Sequence, residues 1–320
     1  MALKGVNLGG WLVAERWMTP SLFKKTNAQD EFSLNALGEI YKQRLIIHHE
    51  TFIQETDFKW LKQQGVKAVR LPIGYWVFGD EPSLVGAAPQ LDWVFSMAKK
   101  YDMLVFLSIH GAKGSQNGKK HSGKIGDATW HKDKNNIRTT LEFIEKLCKK
   151  YGTHPNLWGI ELLNEPHIPT WALFRFLRFY QQACHIIRAN SHDRTQIVIS
   201  DALWPWKSFW AFWAKKLRVV LDVHYYHSFG INRHKLPQEI IAAATRSAKQ
   251  LKKLSNLCPV IVGEWSLVMG DDKNHYTKYA KAQMQAYEQS EAWFYWSYKT
   301  ELPGTWNFRD CVEKGFIKLI

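Results

Sequence analysis

Eight short apolar runs, separated by longer stretches of helical periodicity, constrain this chain more than any other feature. They are LKGVNLG (3–9), KAVRLPI (67–73), MLVFLSIH (103–110), LWGIELLN (157–164), TQIVIS (195–200), RVVLDVHYY (218–226), PVIVGEW (259–265) and AWFYWSY (292–298). Helical patterns lie between them over 51–65, 90–101, 135–151, 171–190, 236–255 and 275–290. In 135–151, Ile137, Leu141, Ile144, Leu147 and Cys148 recur at helical spacing with Lys and Glu between them. Strands apolar on both faces, each followed by a crossover, describe a parallel sheet covered by helices. An open doubly wound sheet would want a glycine-rich phosphate turn after its first strand. GVNLGGW is not G-x-G-x-x-G, and Trp11 stands where a helix should open. The expected fold is an α/β (β/α)8 barrel, one domain over 1–320. Two long excursions, 10–49 after the first strand and 111–134 after the third, are expected to build a pocket at the strand ends.

A chain of 320 residues suits one such barrel. The formal charge of +14 raises a nucleic-acid reading. However, the lysine pairs Lys99-Lys100, Lys149-Lys150, Lys215-Lys216 and Lys252-Lys253 fall near the ends of helical patterns, where they complement helix dipoles and solvate outer faces. No nucleic-acid-binding motif accompanies them, so no nucleic-acid partner is expected. Cys148, Cys184, Cys258 and Cys311 sit in apolar segments without C-x-x-C spacing and read as reduced core thiols. No apolar run is long enough to span a bilayer, and Met-Ala-Leu-Lys-Gly-Val-Asn has no signal-peptide pattern. The reading is a cytoplasmic monomer without a membrane partner, or a secreted protein if the sequence has been trimmed. His48-His49 reads as a helix-surface pair, and the histidines lack metal-ligand spacing, so neither a metal nor another cofactor is expected.

In a barrel, chemistry gathers where the strands end. Those ends carry Arg70, His110, Asn164-Glu165, His224 with Tyr226, Glu264 and Trp296. Two glutamates across a cleft lined with aromatic rings are what glycoside hydrolysis needs. One protonates the leaving oxygen and the other attacks the anomeric carbon, with a separation of roughly 5–5.5 Å for a retaining mechanism. Their pKa values should differ, one carboxyl protonated and its partner ionised beside Arg70. Asn164 is placed to meet a sugar hydroxyl, and Trp296 offers a flat platform for a pyranose. In this order Glu165 is the acid/base and Glu264 the nucleophile.

RLPIGYW, IHG, LLNEP, DVHYY, VGEW and FYWSYK, in this order over essentially the whole chain, resemble the successive motifs of glycoside hydrolase family 5. GVNLGGWLVAERWMTPSLF and HGAKGSQNG are similar to the exo-β-1,3-glucanase group of that family. The resemblance implies retaining hydrolysis of a β-glucoside, with Glu165 as acid/base and Glu264 as nucleophile. It implies a supporting shell of Arg70, His110, Asn164, His224, Tyr226 and Trp296. Glu15 matches the acidic residue that binds the non-reducing sugar, and Phe229 matches one side of an aromatic clamp. Lys119-Lys120-His121 departs from the Phe-Asp-Asn of that group, which puts exo preference and the next sugar in question. Alternatives are an endo-β-1,4-glucanase, a transglycosylase and a non-catalytic glycan-binding barrel. No G-x-S-x-G or H-E-x-x-H supports another hydrolytic chemistry.

Overall fold

The computed structural model describes residues 1–204, 206–229, 235–269 and 273–319. Eight parallel strands close in sequence order: β1 Leu3–Asn7, β2 Ala68–Gly74, β3 Leu104–Gly111, β4 Leu157–Glu161, β5 Gln196–Ser200, β6 Val220–Tyr225, β7 Val260–Trp265 and β8 Ala292–Tyr295. The seam joins Leu3 to Ala292 and Val6 to Tyr295. Helices α3 Glu55–Gln63, α4 Ala88–Lys100, α5 Lys134–Tyr151, α6 Leu173–Asn190, α8 Pro237–Ser255 and α9 Tyr276–Tyr287 cover the outside, close to the helical patterns in the sequence.

Four helices escape the apolar pattern: α1 Glu31–Asn35, α2 Glu39–Thr51, α7 Lys207–Leu217 and α10 Phe308–Glu313. In α2 the buried positions are Leu45, His48 and His49, so histidines occupy the stripe that apolar residues normally mark. The surface reading of His48-His49 is therefore corrected. His48 Nε2 lies 2.8 Å from the Gly10 carbonyl, and the His49 carbonyl accepts Trp11 Nε1 at 2.9 Å. Burial pushes both imidazoles down, His48 to about 4 and His49 to about 3. Together these contacts pin the first long loop to α2.

The four lysine pairs occupy the last turns of α4, α5, α7 and α8, and all four cysteines are buried and unpaired. Among the described residues no helix is long and apolar enough to cross a membrane.

Inside the barrel, Ala68, Phe106, Val198, Val220, Ile261, Ala292 and Phe294 form an apolar plug. The Arg70 guanidinium lies 5.6 Å from the Phe106 ring centroid, so polar groups begin directly above the plug. A fully buried guanidinium demands ionic and hydrogen-bonding partners. Those partners build the site.

Candidate active site

Arg70 on β2 is fully buried. Its Nη1 donates to Asn7 Oδ1 at 2.8 Å and to Glu264 Oε1 at 3.1 Å. Its Nη2 donates to Glu161 Oε2 at 2.6 Å and to Asn164 Oδ1 at 2.8 Å, and lies 3.7 Å from Asp222 Oδ2. Burial works against the guanidinium charge, but Glu161, Glu264 and Asp222 outweigh it and hold Arg70 above its ordinary range. Burial pushes Glu161 up to about 7 against the pull of Arg70.

Glu161 and Asp222 were not among the sequence candidates. The available signal was an acid inside each of two apolar runs, with Asp222 two positions before His224 and so on the same strand face. Gly263 makes room for Asp222. A Cβ there would stand 1.9 Å from Asp222 Oδ2, and the Gly263 N–H donates to Asp222 Oδ1 at 2.6 Å.

Glu264 lies on β7 and Glu165 just past β4. Regular strand β4 ends at Glu161, yet the chain beyond it still bonds to both neighbours: the Leu162 N–H donates to the Val198 carbonyl at 3.0 Å and the Asn164 N–H to the Ile109 carbonyl at 2.9 Å. Glu165 has φ +42°, a left-handed conformation that costs a non-glycine residue about 1–2 kcal/mol. Asn117 Nδ2 donates to its carbonyl at 3.1 Å and supports the turn. Glu165, His224 and Glu264 each offer an atom within 4.8 Å of the others, so the two carboxylates face one another across a short gap.

Hydrogen bonds divide the oxygens of this pair. Glu264 Oε1 takes Arg70 and lies 3.6 Å from His110 Nε2, while Oε2 accepts Tyr226 Oη at 2.7 Å. Glu165 Oε1 lies 2.8 Å from His224 Nδ1. The same His224 atom is 3.6 Å from Glu264 Oε2, and His224 Nε2 is 3.5 Å from Asp222 Oδ2. Burial disfavours the imidazolium, but Glu264 and Asp222 outweigh it and raise His224 well above its usual range. Burial also disfavours both carboxylates. For Glu165 the His224 hydrogen bond and the His121 charge prevail and bring it down to about 2. For Glu264 the charge of His224, the neighbouring His110 and the charge of Arg70 hold it low. Both carboxylates are thus held below their ordinary range, with the raised His224 imidazole between them.

His110 stacks on Trp296 with ring centroids 5.6 Å apart and planes 5° from parallel. Its Nδ1 lies 2.9 Å from Ser108 Oγ, which donates to Glu161 Oε2 at 2.6 Å. Glu15 Oε2 accepts Trp17 Nε1 at 2.8 Å. Burial pushes Glu15 up to about 8 despite that bond, and the nearby charges of Glu264 and Glu165 add to the rise. Tyr226, Phe229 and Trp306 contact one another with centroids 5.6–5.9 Å apart, and Trp17 meets Trp306 at 5.2 Å. The sequence reading anticipated Phe229 here but missed Trp306 and Trp17, although Trp17 sits beside Glu15 in the first long loop and Trp306 shortly after FYWSYK. The 111–134 loop reaches the mouth, as its expected place in the pocket anticipated. Lys119 Nζ lies 3.6 Å and His121 Nε2 3.4 Å from Glu165 Oε2. All ten sequence candidates thus fall in or around one mouth.

Two clusters have the carboxylate and imidazole donors to hold a cation, Glu161–Asp222–His224 and Glu165–His224–Glu264. In both, Arg70 and His224 already supply the countercharge through contacts of 2.6–3.7 Å.

Residues 30–301 match the family model Cellulase (glycosyl hydrolase family 5). The chain belongs to glycosyl hydrolase family 5. Family membership makes it a glycoside hydrolase, as the motif resemblance implied. It is 31% identical to glucan 1,3-beta-glucosidase 2 of Wickerhamomyces anomalus, an alignment covering 98% of this chain and 87% of the relative. It is 32% identical to a glucan 1,3-beta-glucosidase of Schwanniomyces occidentalis, covering 98% and 86%. The crystal structure of rutinosidase from Aspergillus niger superposes with TM-score 0.86 at 19% identity, covering 98% of this chain and 97% of that one, and shares the barrel fold.

Proposed function

We propose that this family 5 enzyme is a retaining exo-β-glucosidase that removes terminal glucose from β-1,3-glucan or β-gluco-oligosaccharides. One observation carries the mechanism: Glu165 and Glu264 bring carboxylate oxygens within 4.8 Å of each other, close to the roughly 5–5.5 Å of retaining enzymes and short of the roughly 6.5–9.5 Å of inverting ones. Glu264, ionised and fixed by Arg70 and Tyr226, attacks the anomeric carbon. Glu165, protonated when substrate is bound, donates its proton to the departing sugar oxygen as the C1–O bond breaks, and then takes a proton back from the water that releases glucose. With Asn164 Oδ1 committed to Arg70, its Nδ2 is the end left for a sugar hydroxyl. Trp296, fixed against His110, floors the glucose site. Glu15, near the catalytic carboxylates, binds the terminal sugar and closes one end of the cleft. The glucan 1,3-beta-glucosidase names of two relatives supply the linkage.

The test is proton NMR of an aryl β-glucoside digest. The first glucose released should be the β-anomer; α-glucose appearing first would rule out double displacement. A ladder of mixed oligomers in early digests of β-1,3-glucan would favour the endo reading instead.

A further inference from the structure

Six tryptophan and phenylalanine side chains stand exposed among the described residues. Trp17 and Phe229 belong to the aromatic group at the mouth. The other four fall in one stretch of chain. Trp171 and Phe174, at the start of α6, are 63% and 83% exposed, and Trp206 and Phe212, just before and within α7, are 71% and 58% exposed. They share one wall of the barrel. Tyr180 of α6 meets Trp210 of α7 with ring centroids 6.2 Å apart, and Arg188 near the end of α6 donates to the Leu217 carbonyl at 2.6 Å.

The same stretch is strongly basic. Residues 166–221 hold eight Lys and Arg against two Asp, and Asp201 is buried and already paired with Lys207. Exposed cations stand beside the exposed rings: Arg178 comes four positions after Phe174 and Lys216 four after Phe212, one helical turn in each case. A groove between α5 and α6 continues the pattern, lined by Ile137, Leu141 and Trp171 together with Lys134, Arg175 and Arg178.

Exposed apolar groups gathered in this way mark an interaction surface. A second copy of this wall would set positive charge against positive charge. A neutral glucan offers nothing to the cations, and its hydroxyls want the amides and carboxylates found in the mouth; Gln182 is the one such group among the residues lining the groove. A polynucleotide would answer the cations and stack on the rings, but has no use for the aliphatic Ile137, Leu141 and exposed Leu203. An anionic bilayer uses every part: Trp at headgroup level, Phe and Leu among the first acyl carbons, Lys and Arg at the phosphates.

We infer that the outer wall of α6 and α7 is a docking surface for an anionic lipid bilayer. The contact is peripheral and needs no spanning helix. Trp171 and Trp206 follow β4 and β5, as Glu165 follows β4, so docking there brings the mouth end of the barrel toward the headgroups.

The test is sedimentation with phosphatidylcholine vesicles made with and without phosphatidylglycerol, with tryptophan quenching by brominated acyl chains as a second readout. The protein should sediment only with the phosphatidylglycerol vesicles, less so as salt rises, and its fluorescence should be quenched. Phe174→Ser/Phe212→Ser keeps every tryptophan and should lose most of the quenching. Arg178→Gln/Lys216→Gln should weaken binding about tenfold or more. Thermal melts matching the native protein exclude unfolding as the cause. Absence of binding to phosphatidylglycerol vesicles, or binding that neither variant changes, overturns the inference. Binding to heparin as strong as to vesicles, and undiminished in the phenylalanine variant, also overturns it, since the wall would then attract any polyanion. So does sedimentation with insoluble β-1,3-glucan that the phenylalanine variant abolishes, which would make the wall a glycan platform. None of these readouts involves catalysis, so they stand or fall apart from the glycosidase reading.

Discussion

His224 Nδ1 lies 2.8 Å from Glu165 Oε1, and the same nitrogen is 3.6 Å from Glu264 Oε2. One imidazolium thus governs the ionisation of both carboxylates. Removing it with His224→Ala should raise both pKa values, since the dominant opposing effect, burial, then acts with less restraint. The acid limb of the kcat/KM–pH profile should move up by about one unit or more. An unmoved limb in an active variant would show that His224 does not set these charges.

Arg70 is the keystone of the buried charge layer, with contacts to Glu161, Asp222 and Glu264. Arg70→Met leaves these acids without their guanidinium and should destabilise the fold by about 3–5 kcal/mol, read by urea denaturation. Adding Glu161→Met removes one orphaned carboxylate and should return part of the stability without restoring activity. Undiminished stability in the single variant would contradict the pairing.

Glu15 supplies a pH signature. Its carboxyl has an ordinary value of 4.5 and is pushed up to about 8 in the fold, chiefly by burial. Between those values the folded state holds a proton that the unfolded state has lost. Its contribution is therefore full below about 4.5 and is lost as pH rises through about 8. Glu31, also raised to about 8, acts in the same direction. Glu15→Gln should flatten the loss of stability between pH 5 and 9 by on the order of 2 kcal/mol. Parallel stability curves for the variant and native protein would show that Glu15 ionises normally.

Lys119→Phe exchanges a charge for an aromatic platform at the leaving-group side. It should raise kcat/KM on β-1,3-oligosaccharides by several-fold, given about 1 kcal/mol for a ring contact. Nitrophenyl glucosides, which use little of a second sugar site, should change much less. Identical kinetics on both substrate lengths would make the Lys119 loop ordinary solvated surface.

The eight strands and the six long helices they alternate with were legible because burial on both strand faces and one helix face leaves a periodic trace. Helix α2 was not, since His48 and His49 sit at its buried positions. The strand-end residues were legible as polar groups terminating apolar runs. Glu161 and Asp222 were hidden within such runs, where their partners, Arg70 above all, come from other strands. Trp306 reaches the mouth from a loop, whose course follows from tertiary contacts and leaves no local pattern.

The most direct test of the central claim is trapping of the covalent intermediate. The enzyme is incubated with a 2-deoxy-2-fluoro β-glucoside carrying a good leaving group, digested at low pH, and its peptides sequenced by mass spectrometry. The account expects one fluoroglucosyl adduct, on Glu264 within VIVGEW. An adduct on Glu165, or inactivation without any carboxylate adduct, would contradict it.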